Sequence, residues 1–208
     1  MFHWKRKKIQ CYLNDNSKTL LDIGSGSGLF IDYMSEYAWH CVGVEESKEA
    51  VANSKTHQMS EKEFLEHTGS YSLITLWHVL EHLWNIDEYL KQIVLNMNSD
   101  TLLLIAVPNY QSFDARYYKE YWDAYDVPRH LYHFSADSLE RLLNSYNLEV
   151  VNKKQLPFDP FYAAILSEQK KNGSILRAIF VGLISFLNGL FDSKKSSSIL
   201  FFIRKVSV

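Results

Sequence analysis

The sequence is poor in the residues that staple or segment a chain. Cysteine occurs only as Cys11 and Cys41 in 208 residues, far apart and at no ligand spacing. That excludes a disulfide framework and a cysteine-built zinc site and fits a reducing, cytoplasmic setting. Each thiol is expected to be a small buried hydrophobe. Four prolines, eight glycines and no internal repeat leave one domain as the expectation. Neither charge sign dominates, since the formal net charge is −2, which argues against a large nucleic-acid footprint. No apolar run is long enough for a comfortable membrane span. The longest, residues 175–191, carries Arg177, Asn188 and two glycines. Lys5-Arg6-Lys7-Lys8 is followed by no apolar segment of the signal-peptide kind. What remains is 47% hydrophobic and 22% charged, the balance of a chain that buries a real core.

Read in order, the chain alternates strand and helix. Residues 1–17 are expected to hold a leading helix. Residues 19–23 are apolar and end at a glycine turn, so they predict a first strand. Leu29, Phe30, Tyr33, Met34 and Tyr37 are spaced for one buried face of a helix over 28–37. Residues 40–45 predict a second strand ending in an acid, with Ser47 as N-cap of the helix after it. That succession predicts a doubly wound parallel α/β fold. Only a brief third strand fits between 56 and 60, followed by one or two helical turns over 61–67. Residues 71–77 predict a strand, 87–97 a helix, and 101–107 a buried strand stopped by Pro108.

Residues 109–134 are aromatic and lack a period, which predicts a long loop acting as a lid or binding loop. Ser135 predicts the cap of a helix through 146. Residues 148–156 and 198–206 are expected strands, with an apolar helical segment, 157–197, between them. The cofactor-binding core is thereby placed at 18–156.

Asp22-Ile23-Gly24-Ser25-Gly26-Ser27-Gly28 forms the turn after the first strand. Alternate glycines permit φ > 0 and let a ligand approach without meeting a Cβ, and the next helix offers free N–H groups. The spacing is G-x-G-x-G, not the G-x-G-x-x-G of a dinucleotide fold, and no lysine completes a phosphate loop. The ligand therefore need not carry phosphate.

This turn resembles the first motif of class I S-adenosylmethionine (SAM)-dependent methyltransferases. The resemblance continues in Gly43-Val44-Glu45 and in Val79-Leu80-Glu81-His82-Leu83, the latter similar to ubiquinone-biosynthesis O-methyltransferases, as is the stretch from Tyr125 to Ser135. It implies a seven-stranded mixed sheet, its last strand antiparallel, and SAM as cofactor. It places Asp22, Gly24, Ser25, Gly26, Gly28, Glu45, Trp77 and His78 at the cofactor, with Glu45 on the ribose hydroxyls, to which a carboxylate offers two acceptors.

The expected reaction is methyl transfer to a small-molecule acceptor, at oxygen by subgroup resemblance. His130 and His82 are the candidate bases, since imidazole has a suitable pKa. His78-x-x-Glu81-His82 also matches an inverted zincin pattern, but it falls where a strand gives way to a loop, and no metal is expected. The rival reading is a methyltransferase-like binding module that docks a membrane or a partner through 173–192. A peripheral membrane contact is helped by Lys170, Lys171, Lys194 and Lys195 around that segment.

Overall fold

Strands made of uninterrupted apolar residues need cover on both faces, and helices supply it. In the computed structural model, which describes residues 2–13 and 18–206, five strands run parallel. They are β1 (Thr19–Ile23), β2 (His40–Val44), β3 (Gln58–Met59), β4 (Tyr71–Trp77) and β5 (Met97–Pro108). Then β7 (Ser198–Lys205) inserts antiparallel between β5 and β6 (Leu148–Gln155). The order is β3-β2-β1-β4-β5-β7-β6, the seven-stranded mixed sheet with one antiparallel strand that was expected.

The helices are α1 (Phe2–Gln10), α2 (Leu29–Ser35), α3 (Lys48–Val51), α4 (Glu61–Glu66), α5 (Ile86–Leu95), α6 (Phe113–Tyr118), α7 (Ala136–Asn144), α8 (Asp159–Lys170) and α9 (Ile175–Phe191). Alternation along the strands splits the core into two layers. Leu21, Ile23 and Ile74 pack with α4, α5 and α7 on one side. Leu20, Leu73 and Leu104 pack with α1 and α2 on the other.

The expected boundaries shift where caps intervene. Gly28 is the N-cap of α2 in a left-handed conformation rather than its first residue. Ser135 caps α7 in a reciprocal capping box with Ser138. Met97, expected at a helix end, is the first residue of β5. The expected leading helix ends at Gln10, and residues 14–17 of it lie outside the described residues.

Two expectations are corrected. Residues 109–134 are not a structureless lid. They form α6 and two 3-10 turns, Lys119–Tyr121 and Asp123–Tyr125. Tyr118 and Trp122 are buried against Ala164 of α8 and Ala178 and Val181 of α9, an apolar surface invisible to local reading. Beneath them Asp114 accepts from Trp122 Nε1 (2.7 Å), Ser185 Oγ (2.5 Å) and Ser197 Oγ (2.7 Å), joining α6, α9 and the start of β7. Cys11 is exposed, because it lies past the end of α1 while Ile9 is the residue turned inward. Cys41 is half-buried, and burial pushes its thiol up to about 11.

Candidate active site

The carboxyl ends of β1, β2 and β4 meet at the glycine turn. Gly24, Gly26 and Gly28 all have positive φ, at 71°, 56° and 77°. A Cβ on Gly24 would lie 2.3 Å from Val79 Cγ2, and one on Gly28 would lie 2.1 Å from Ser54 Oγ. A Cβ on Gly26 would meet nothing within 4 Å. The outer two glycines thus let the chain pack, and the middle one leaves open space. Ser25 closes the base of the turn, its Oγ 3.3 Å from the Val44 carbonyl and 3.1 Å from Gln58 Oε1.

Glu45 crosses to this turn from β2. The Gly26 N–H donates to its Oε2 (2.9 Å) and the Ser47 N–H to its Oε1 (2.9 Å). Each oxygen keeps a further lone pair, so the carboxylate is fixed yet still able to accept from two hydroxyls. Glu45, Gly24, His78 and His82 border one open cavity of about 400 Å³, whose far wall is Glu61 and Tyr89.

Asp22 lies deeper, 2% exposed, and accepts a hydrogen bond from the Thr75 hydroxyl. Burial pushes its carboxyl up to about 7, while the Thr75 bond and the Lys5 charge pull the other way. Lys5 of α1 enters the same region, with Nζ 3.5 Å from the Trp77 ring centroid. Burial lowers its ammonium to about 8, opposed by the charges of Asp22 and Asp159. A cation therefore already rests on the face of Trp77, under the charges of Asp22 and Asp159.

His78 has φ 56°, a strained conformation for a residue with a side chain. Its Nε2 is 3.0 Å from Asp159 Oδ2 at the start of α8, and its Nδ1 is 3.4 Å from Glu81 Oε1. Burial works against protonation here, but the hydrogen bonds and charges of Asp159 and Glu81 outweigh it and raise the imidazole to about 10. His78 thus ties the strand end to α8.

The structure brings His82 and His130 together from 48 residues apart in the numbering, with ring centroids 4.5 Å apart. His82 Nδ1 is 3.0 Å from the Arg129 carbonyl and His130 Nδ1 is 2.8 Å from the Ala124 carbonyl. A carbonyl only accepts, so both Nδ1 atoms carry protons, which leaves His82 Nε2 as the lone-pair atom when its ring is neutral, while His130 Nε2 lies 4.0 Å from Asp126 Oδ2. Of the two, His82 lines the cavity and His130 stands behind it. Arg129 pairs with Asp126 at 2.7 Å. Among the described residues, Glu81, His82 and His130 place one ligand atom each within 4.8 Å of one another, a set that could hold a divalent cation.

Lys5, Asp159, Glu61 and Tyr89 border these sites without having been singled out from the sequence. Only Lys5 left a signal, a basic run beside aromatic residues, and nothing in that run says which cation turns inward.

A family model described as a methyltransferase domain matches residues 2–153. The chain belongs to the methyltransferase domain family. No curated protein matches its sequence. Among solved structures, a SAM-dependent methyltransferase from Archaeoglobus fulgidus is similar at 17% identity and TM-score 0.63, covering 98% of this chain and 92% of that one. The YcgJ protein from Bacillus subtilis is similar at 15% identity and TM-score 0.64, over 100% of both chains. The cyclase SpnF is similar at 12% identity and TM-score 0.67, over 99% of this chain and 82% of its own. Such likenesses establish a fold, and a cyclase among them shows that a site, not a fold, carries the chemistry. In this methyltransferase domain no helix among the described residues is long and apolar enough to cross a membrane.

Proposed function

We infer that the protein is a SAM-dependent methyltransferase, and we propose that it methylates a small-molecule acceptor at oxygen. The observation that carries the donor is the pairing of an open Gly26 with Glu45, whose carboxylate is held by backbone N–H groups at the cavity's edge. The fit extends to Trp77, Asp22 and Lys5, where a buried ammonium over the Trp77 ring supports a site suited to a cation.

When bound, SAM supplies a methyl group on a cationic sulfonium. Glu45 would accept from the ribose hydroxyls, the turn at Gly24, Ser25 and Gly26 would give backbone contact, and ionised Asp22 would attract the ammonium of the methionine end. Glu61 and Tyr89 wall the remaining space of the cavity. In-line displacement needs little beyond proximity and alignment. His82, on the cavity wall, would accept a proton from an acceptor hydroxyl through Nε2, with His130 packed edge-on against its ring. The oxygen assignment rests on the similarity of residues 79–83 and 125–135 to ubiquinone-biosynthesis O-methyltransferases. Two unpaired cysteines support a cytoplasmic setting.

Isothermal calorimetry with SAM tests the reading. The wild-type protein is expected to bind, and Glu45→Ala to weaken binding by about 2 kcal/mol, roughly thirtyfold, as loss of charge-assisted hydrogen bonds implies. No binding by the wild type, or equal binding by the variant, overturns it.

A further inference from the structure

A helix docked on a domain normally turns its large apolar side chains inward. In α9 the order is reversed. Its buried side is Ala178, Val181, Gly182, Ser185 and Gly189. Its outer side is Leu176, Phe180, Leu183, Leu187 and Leu190, which follow one another at helical spacing down one face. Leu176 is 75% exposed and Phe180 63% exposed. The small residues have a local cause, because α9 lies directly on α8: a Cβ on Gly182 would stand 3.0 Å from the Phe161 Cα. That explains the inside of the helix and leaves the outside without a partner among the described residues.

Basic residues stand at both ends of the stripe, some of them paired: Arg177 with Glu168 (3.7 Å), Lys194 with Asp137 (2.9 Å) and Lys195 with Asp192 (3.7 Å). No acidic residue occurs within α9. Lys171 and Arg177 flank one end, Lys194 and Lys195 the other. Past the second end, a groove of about 490 Å³ brings Lys8 of α1 and Lys153 and Lys154 of β6 beside Leu190 and Phe191. Lys8, Lys154 and Lys171 make no ion pair among the described residues.

We propose that the outer face of α9, with the lysine groove at its end, docks on an anionic phospholipid surface, the helix lying in the plane of the membrane. An apolar stripe enters the headgroup boundary while lysines at its edges meet lipid phosphates. The helix is about 25 Å long, too short to cross a hydrocarbon core of about 30 Å but long enough to lie along its edge. A second copy of the chain fits less well. An antiparallel twofold pairing of α9 on α9 sets Lys171 of one copy towards Lys8 and Lys154 of the other, and no acidic residue within α9 compensates those lysines.

Vesicle flotation with the full-length protein tests this. It is expected to float with phosphatidylglycerol-rich vesicles, and far less with phosphatidylcholine vesicles or in high salt. The variant Leu176→Ser/Phe180→Ser/Leu187→Ser is expected to lower partitioning by about tenfold or more, as lost insertion of three large apolar side chains implies. Lys8→Glu/Lys154→Glu is expected to remove the preference for the anionic lipid. Thermal melting and SAM calorimetry on both variants, expected to match wild type, separate lost docking from lost folding. Wild-type protein that ignores anionic vesicles at low salt, or a triple variant that floats undiminished, overturns the proposal. So does a sedimentation dimer that the triple variant dissolves while neither protein binds vesicles.

Discussion

Two buried aspartates, Asp22 in β1 and Asp114 in α6, live under opposite conditions. Asp114, beneath α9, accepts three hydrogen bonds from Trp122, Ser185 and Ser197 and has no unmet need. Asp22, at the end of β1, accepts one from Thr75, and burial pushes its carboxyl up to about 7. A satisfied buried acid holds three elements in register. An acid short of donors among the described residues, under the charge of Lys5 from α1, is suited to a cation. The same side chain therefore marks structure in the aromatic stretch and, in the function proposed above, binding at the glycine turn.

The sharpest way to break this contrast is to remove each acid. Asp114→Ala leaves three buried donors without an acceptor and should cost about 3–5 kcal/mol in urea unfolding. A loss under about 1 kcal/mol would mean those donors find other partners. Asp22→Asn should instead leave stability level or higher while weakening SAM by about tenfold, or 1.4 kcal/mol.

The sign follows from the carboxyl's rise from 3.8 to about 7. The folded state holds that proton more tightly than the unfolded chain, so stability contributed by the neutral form is lost as pH rises from about 4 through about 7. Over the same interval the ionised form grows and SAM affinity should increase. A calorimetric pH series that is flat for wild type, or equally steep in Asp22→Asn, would contradict the assignment. A modest effect on folding is expected at Gly26. Alanine there meets no atom and should cost about 1–2 kcal/mol for its left-handed backbone, yet it should abolish detectable SAM binding by filling the open space. Retained binding in Gly26→Ala would show that the donor does not approach that glycine.

The glycine turn and the strands around it were legible because their cause is local. Residues 19–23 and 71–77 were expected as strands at the bounds where β1 and β4 lie. Ser47 and Ser135, read as caps, do cap α3 and α7. Residues 109–134 were misread for the opposite reason. Tyr118 and Trp122 fold against Ala164, Ala178 and Val181, which the chain supplies about fifty residues later, so no window around them shows a period. Residues 175–191 were legible as a helix but not as an inverted one. Small and large apolar residues both count toward hydrophobicity, and only packing on α8 decides which side goes in.

By itself, then, the sequence determined the strand–turn–helix unit at Asp22–Gly28, the acid at Glu45 and the class of fold, since apolar runs, alternate glycines and caps act over a few residues. The tertiary structure alone decided which cation enters the site and which histidines meet. Lys5 reaches Trp77 across 72 positions, His78 reaches Asp159 across 81, and His82 meets His130 across 48. Such contacts form only when the sheet brings strand ends together, and no local preference of any of these residues encodes its partner.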